Sequence, residues 1–481
     1  MTRPNIVVFI PDQLRADALG CFGNPVASTP NIDALAASGT RFADAWGQHP
    51  FCSPSRVSFL TGWYPHVHGH RTLTSLIKPW QPDALAVLKD SGYHVAHAGL
   101  RGDTWSTGGT KRATSRFGWL VSPDVVVDAI PYEPDHKLAR AFYSGRRDGP
   151  TLDFDEATVR TAESWLGDGL PEPWLLYVPL IFPHPPFAAD EPWFSMHDRA
   201  DVPLPRSPAP NRVGPAFKAL IHDRYGLGRL DDHDWREIVS TYYGMVSRMD
   251  DHLGRVLRAV DAVSSTDRTA VLFFPDHGEF LGDEGLIEKW ISGMDPCLLR
   301  NPLIIRVPGA PEGNVATGLA ELLDVAPTLY DLAGIDPGYR HFGRSLLPLV
   351  HDGVAPHRDV VFSEGGLLLD DARASEPKPF PYDLKHAVEK EHPVAAGKVT
   401  AIRTSDWTYV HRVHEADELY DRHADPDECH DLAGDAAHAP VLAQLRASML
   451  EWLVETSDVL PLDADPRWDV DGAITSPPTS V

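Results

Sequence analysis

Basic residues are in short supply in this chain. Forty-three lysines and arginines stand against 68 aspartates and glutamates, a formal net charge of −25 over 481 residues. That balance disfavours nucleic acid as a partner, and no polybasic run argues for a membrane surface. Cysteine is scarcer still. Cys21, Cys52, Cys297 and Cys429 lie far apart with no Cys-x-x-Cys pair, which excludes a zinc site of that type and a disulfide scaffold. No apolar run approaches the length of a membrane span, and no charged and then apolar leader precedes the first element. A cytoplasmic globular protein is expected, in which any anionic ligand must meet a local cationic site.

What is present is an alternation. Asn5-Ile6-Val7-Val8-Phe9-Ile10 and Thr269 to Phe274 are short continuous apolar runs, the mark of strands buried on both faces. Further strands are expected at Tyr93 to Ala98, Trp174 to Phe182 and Pro302 to Val307. Helices are expected after Thr29-Pro30, over Pro82 to Ser91, Asp155 to Leu166 and Glu321 to Leu332. The longest helix carries Ile238, Tyr242, Met245, Met249, Leu253, Val256 and Val260 at spacings of three and four, a core-packing stripe. The pattern predicts an α/β sandwich around a mostly parallel sheet. Pro183 to Pro215 holds nine prolines and reads as an irregular segment serving a site.

From about His357 the texture changes to short alternating strands at Asp359 to Ser363, Val399 to Thr404 and Thr408 to Arg412. A helix follows over Ala437 to Trp452. Two units are expected, 1–356 as a catalytic α/β domain and 357–481 as a small antiparallel subdomain with a packed helix. Asp370 to Gly397 reads as a polar surface insertion and Thr475 to Val481 as a loose tail. There is no internal repeat.

Two stretches carry chemistry. Cys52-Ser53-Pro54-Ser55-Arg56 precedes a hydrophobic turn and Thr61-Gly62. Ser53 reads as an N-cap, Pro54 as the first helical residue and Gly62 as the C-terminal stop. Position 52 then faces the positive end of a helix, with Arg56 one turn on. Read alone, the run also fits a low-pKa thiol or a buried structural cysteine. The second feature is that both buried strands end alike, at Pro11-Asp12-Gln13 and Pro275-Asp276-His277. Ligands gather at the carboxyl ends of parallel strands. Two carboxylates, an amide oxygen and an imidazole suit a divalent cation, although each aspartate alone equally fits a turn or a helix cap.

The run Cys-x-Pro-Ser-Arg with Thr-Gly resembles the signature of the sulfatase family, of the alkaline phosphatase-like superfamily. The resemblance implies that fold, and a Cys52 oxidised to formylglycine by a maturation enzyme. It implies one divalent metal, calcium or manganese, held by Asp12, Gln13, Asp276, His277 and residue 52. Gln13 stands where many members have a second aspartate. This Asp-Gln and Asp-His variant resembles choline sulfatase and phosphonate monoester hydrolases, and it leans toward manganese. Pro183-His184-Pro185 resembles the family's His-x-Pro segment, and Asp276 to Asp283 running on to Lys289-Trp290 resembles the segment whose lysine reaches the leaving group. Glu418 to Gly434 resembles its closing hairpin. The family's Gly-Lys-Trp-His is absent: Gly99-Leu100-Arg101-Gly102-Asp103 stands there. Arg101 is expected to stand in for the lysine, and one of His66, His68 and His70, after the signature helix, for the histidine, with His70 favoured.

The resemblance implies hydrolysis of a small-molecule sulfate ester, with Arg56, Lys289 and His184 meeting the charge on the sulfuryl oxygens. Two alternatives stay open, a phosphonate monoester or phosphodiester hydrolase using the same site and a non-catalytic binding homologue. The alcohol part of the substrate is open, as is the choice between monomer and homo-oligomer.

Overall fold

The apolar run Asn5–Ile10 forms a strand in which all six residues are buried, as a parallel sheet covered on both faces requires. The computed structural model describes residues 3–99, 103–120, 122, 124–126, 129–149, 151–208, 214–263, 265–371 and 378–459. The expected tail Thr475 to Val481 lies outside the described residues.

In spatial order the large sheet runs Asn314–Ala316, Thr40–Trp46, Arg300–Arg306, Thr269–Phe273, Asn5–Ile10, Trp174–Pro179, His94–Ala98 and Arg116–Gly118. Ala320–Glu321 pairs beside Thr40–Trp46. Among these described strands Arg300–Arg306 alone runs antiparallel. Side chains alternate between faces, as strand geometry dictates. Val7, Phe9, Leu176, Val178, Val271 and Phe273 enter a core with the helices Phe154–Asp168 and Asp232–Ala262. Ile6, Val8, Ile10, Leu175, Leu272 and Phe274 pack with the helices Cys52–Thr61, Ala84–Asp90 and Val325–Ala333. This is the alkaline phosphatase-like α/β/α sandwich. No described helix is long and apolar enough to cross a membrane.

The long helix starts where Asp231 accepts from the backbone N–H groups of His233 and Asp234, with Asp234 returning the bond in a capping box. Its expected stripe, Ile238 to Val260, is buried throughout. Among its described residues, Pro183 to Pro215 is irregular apart from the strand Phe187–Ala189, which pairs with Tyr143–Arg146.

The second, antiparallel sheet orders Val361–Gly365, Val399–Arg403, Trp407–Arg412 and Glu418–Asp421. The helix Ala439–Glu455 lays Leu445, Met449 and Trp452 on a cluster with Phe362, Ile402 and Tyr409. Trp63, Tyr64 and Val67, just past the signature helix, belong to the same cluster. We propose that the boundary at 356/357 is a change of sheet, across which one core continues.

One expectation is corrected here. Part of the supposed surface insertion 370–397 is a helix, Asp383–Glu391, with Lys385, Val388 and Glu389 buried. Val388, Ala395 and Ala396 join the main core, and the carbonyl of Ala395 accepts from Trp290 Nε1 (2.7 Å) and Ser292 Oγ (2.8 Å). Apolar burial and hydrogen bonding hold this segment onto the catalytic body.

The ring of Trp452 stacks on Phe362 at 4.3 Å and meets Tyr64 edge-on at 4.9 Å. Trp452→Ala is expected to lower unfolding stability by about 3 kcal/mol, the cost of emptying a large aromatic site in a core. Urea denaturation of the variant against the parent protein measures it.

Candidate active site

Two neighbouring strands bring the first acids together. Asn5–Ile10 and Thr269–Phe273 run parallel with Phe9 opposite Phe273. Three residues past each of these, Asp12 and Asp276 emerge side by side, both wholly buried. The Cys52–Thr61 helix lies across the strand ends and presents Cys52, Ser55 and Arg56 at spacings of three and four. Ser55 Oγ donates to the carbonyl of Asp276 at 2.6 Å. Arg56 donates from Nε to Asp276 Oδ2 at 2.9 Å and from one Nη to Asp12 Oδ2 at 3.1 Å. Cys52 Sγ lies 3.2 Å from His277 Nε2 and 3.7 Å from Asp12 Oδ1.

Cys52 is the first residue of this helix and Phe51 its cap, which corrects the expected cap at Ser53 and first helical residue at Pro54. Ser53 Oγ instead donates to the carbonyl of Leu73, twenty residues on, at 3.1 Å and caps nothing. Gly62 ends the helix as expected, at φ 67°.

The donor set fits a divalent cation. Ligand atoms of Asp12, Cys52, Asp276 and His277 lie within 4.8 Å of one another, all on buried residues. Arg56 engages the Oδ2 atoms of the two acids. Their Oδ1 atoms face His277 Nε2 at 3.9 and 3.8 Å. His277 donates from Nδ1 to the carbonyl of Gly278 at 3.0 Å, which presents Nε2 as the ligand atom. Burial lowers the pKa of His277, so the neutral imidazole a metal needs persists to lower pH.

Gln13 sits in the left-handed region at φ 63°, a costly place for a side-chain-bearing residue. The loop is pinned there. Its N–H donates to Asp276 Oδ1 at 3.2 Å, and its carbonyl accepts from Tyr242 of the long helix at 2.9 Å. The side-chain amide donates to Glu279, which fixes its orientation, and Oε1 accepts from Lys289 Nζ. Lys289 also donates to Glu288 Oε1 at 2.7 Å and lies 6.0 Å from the centre of the Phe51 ring. Gln13 is thus tied to Asp276 through its backbone and to Lys289 through its side chain.

His184 is half-buried, its Nδ1 2.7 Å from the carbonyl of Pro185, on a backbone held by Asp155, which accepts from the N–H groups of Ile181 (2.7 Å) and Phe182 (2.8 Å). Its ring lies 6.4 Å from Tyr382. His70 is turned into its own loop: Nδ1 donates to the carbonyl of Ser75 at 2.5 Å, and Nε2 accepts from Gln81 at 3.1 Å. Arg101 lies outside the described residues. Asp103, from the same loop, stands 3.5 Å from Arg56 Nε.

Sequence reasoning passed over Glu279, Glu288 and Lys385. Glu279 had a signal, a second acid three residues after Asp276 in the run Asp276-His277-Gly278-Glu279. Lys385 had almost none, because it lies on a short helix that reads as polar.

A family model described as Sulfatase matches residues 4–335. A multifunctional alkaline phosphatase superfamily protein, PehA, of Trinickia caryophylli is 27% identical, with 95% of this chain and 96% of that protein covered. A choline-sulfatase of Rhizobium meliloti (strain 1021) is 25% identical, with 97% of this chain and 90% of that protein covered. In fold, the chain is similar to the crystal structure of the phosphonate monoester hydrolase of Agrobacterium radiobacter, with a TM-score of 0.74 and 24% identity over 94% of this chain and 96% of that one.

Asp12→Ala and Asp276→Ala are each expected to abolish metal retention and turnover while the parent protein carries about one divalent ion per chain, as a single cluster of this size requires. Elemental analysis of the purified proteins checks both. Metal-free parent protein with undiminished activity would remove the cluster from the account.

Proposed function

The chain belongs to the sulfatase family, and we propose that it hydrolyses a small-molecule sulfate ester through a formylglycine at position 52 and one divalent metal. The observation that carries the reading is the convergence of Cys52, Asp12, Asp276 and His277 within 4.8 Å, braced by a buried Arg56. Asp12, Gln13, Asp276, His277 and residue 52 would hold the ion, calcium or manganese, with the imidazole nitrogen favouring manganese. When bound, it supplies Lewis acidity, lowering the pKa of the attacking hydroxyl and neutralising charge on the ester oxygens. The formylglycine hydrate offers two hydroxyls on one carbon, one to attack sulfur and one to expel sulfate, which a serine could not do.

The remaining work falls to the chain's own side chains. Arg56 keeps two like-charged carboxylates close, with one oxygen of each turned inward. Glu279 orients the Gln13 amide. Lys289, held between Gln13 and Glu288, would protonate the departing alcohol. His184 meets the charge growing on the sulfuryl oxygens. His70 would act only through the loop it holds together, and Arg101 remains a proposed anion contact. Maturation by a formylglycine-generating enzyme belongs to the same reading.

A phosphonate monoester or phosphodiester hydrolase is the second reading, favoured by Gln13. An amide in place of a carboxylate makes the site one negative charge poorer. That suits esters carrying a single charge, which sulfate and phosphonate monoesters share. Phosphate monoesters carry up to two and should be poorest.

Matured protein is expected to show an aldehyde on the peptide containing residue 52, trapped by a hydrazide probe and read by mass spectrometry. Cys52→Ala should fold normally and lose nearly all turnover. The specificity constant should fall from sulfate to phosphonate to phosphate monoesters. A reversed order of the first two would promote the second reading, and no turnover of any ester would favour a binding role.

Lys289→Ala and His184→Ala should differ in pattern. Loss of the proton donor should slow alkyl sulfates strongly and nitrophenyl sulfate mildly, because an alkoxide needs protonation far more than a nitrophenolate. Loss of a charge contact should slow both about equally. Specificity constants across phenols of rising pKa distinguish the two.

A further inference from the structure

The helix Asp383–Glu391 brings a second lysine to the side of the nucleophile. Lys385 is 3% exposed. Its ammonium donates to Glu288 Oε2 and to the backbone carbonyl of Lys289, and lies over two rings, Phe51 at 5.6 Å and Tyr382 at 5.9 Å. Phe51 is also the ring beneath Lys289 and the residue next to Cys52. Glu288 is the hinge of the arrangement. Oε1 takes the Lys289 ammonium at 2.7 Å, while Oε2 takes the Lys289 N–H at 2.6 Å and the Lys385 ammonium. Its backbone is left-handed, at φ 64°, a conformation kept only where surrounding contacts over-determine it.

A buried lysine–glutamate pair contributes little net stability, since an apolar pair of similar volume does as well. This one is built where orientation matters. With Oε2 anchored by Lys385, the Glu288 carboxylate cannot swing, and the Lys289 ammonium stays shared between Glu288 and the Gln13 amide. Without that anchor the carboxylate is left buried with Lys289 as its ammonium partner, and it draws Lys289 away from Gln13 and the cluster.

We propose that Lys385 is a positioning residue for Lys289, acting through Glu288, and that the segment carrying it is part of the catalytic apparatus. The proposal rests on the reading of Lys289 as the leaving-group lysine.

The test measures specificity constants of the matured protein on nitrophenyl, phenyl and alkyl sulfates for Lys385→Met, Lys385→Arg, Glu288→Gln, Lys289→Ala and the double variant Lys289→Ala/Lys385→Met. Lys385→Met is expected to lose about 10-fold to 100-fold on alkyl sulfates, the scale of a small misplacement of a catalytic group, and under about 3-fold on nitrophenyl sulfate. Glu288→Gln should show the same tilt and guards against a Lys385→Met that fails to fold. Lys385→Arg should recover part of the loss, since it restores the charge in a different shape. The double variant should be no worse than Lys289→Ala. Independently of turnover, urea midpoints of unmatured Glu288→Gln, Lys385→Met and their double variant should show the two changes to be non-additive.

Equal loss on every ester, or a double variant worse than Lys289→Ala by the full Lys385→Met factor, would overturn the proposal and leave Lys289 in its role. A Lys289→Ala that does not tilt the series would overturn the role of Lys289, and the proposal with it.

Discussion

Two carboxylates placed at adjacent strand ends repel each other, and at zero exposure water does nothing to relieve the repulsion. Everything in the site follows from how this chain answers that problem. The answer is Arg56, itself wholly buried and bonded to an outer oxygen of each acid. Its position is fixed by helix geometry, because Cys52 and Arg56 are one turn apart on one face. Position 52 and the neutralising charge therefore arrive together, as parts of one rigid element. The sheet supplies the acids, the helix supplies the counter-charge, and the inward oxygens face the imidazole of His277.

Around this centre the chain uses polar groups in linked sets. Glu279 holds Gln13, Gln13 meets Lys289, Lys289 meets Glu288, and Glu288 meets Lys385. Each is buried, so each must be satisfied by the next. In such a set the loss of one member is felt by its neighbours before it is felt by the fold. That is the physical reason for reading leaving-group dependence as well as stability when any of them is changed.

Much of this was legible in the residue order, for identifiable reasons. Asn5–Ile10 and Thr269–Phe273 could be read because burial on both faces demands unbroken apolar runs. Asp12 and Asp276 could be read because both strands stop at proline followed by aspartate. The signature helix was found but begins two residues ahead of the expected Pro54, since Ser53 bonds to Leu73, a partner twenty residues away that cap preferences do not see. The 370–397 segment was misjudged for the same kind of reason. Its helix shows Asp383, Lys385, His386, Glu389, Lys390 and Glu391, which reads as a solvated face. The contact that buries Lys385 is made with Glu288, 97 residues away. His70 attracted attention by its place after the signature helix, and its bonds to Ser75 and Gln81 are made inside the very loop that made it conspicuous.

Cys52 is 6% exposed, and the segment bearing Lys385 packs beside Phe51 on the same flank. On a ribosome these parts do not appear together. Position 52 leaves the exit tunnel long before residue 385, and at about 5–20 residues per second the interval is roughly 15–70 seconds. During it, the cysteine is displayed on a chain that lacks the strand bearing Asp276 for most of that time. If residue 52 is to be oxidised, translation order grants the modifying enzyme a window that closure of the sheet then shuts. Slower synthesis would lengthen that window, and early compaction would shorten it. The burial that gives the finished site its chemistry thereby sets a deadline for making it.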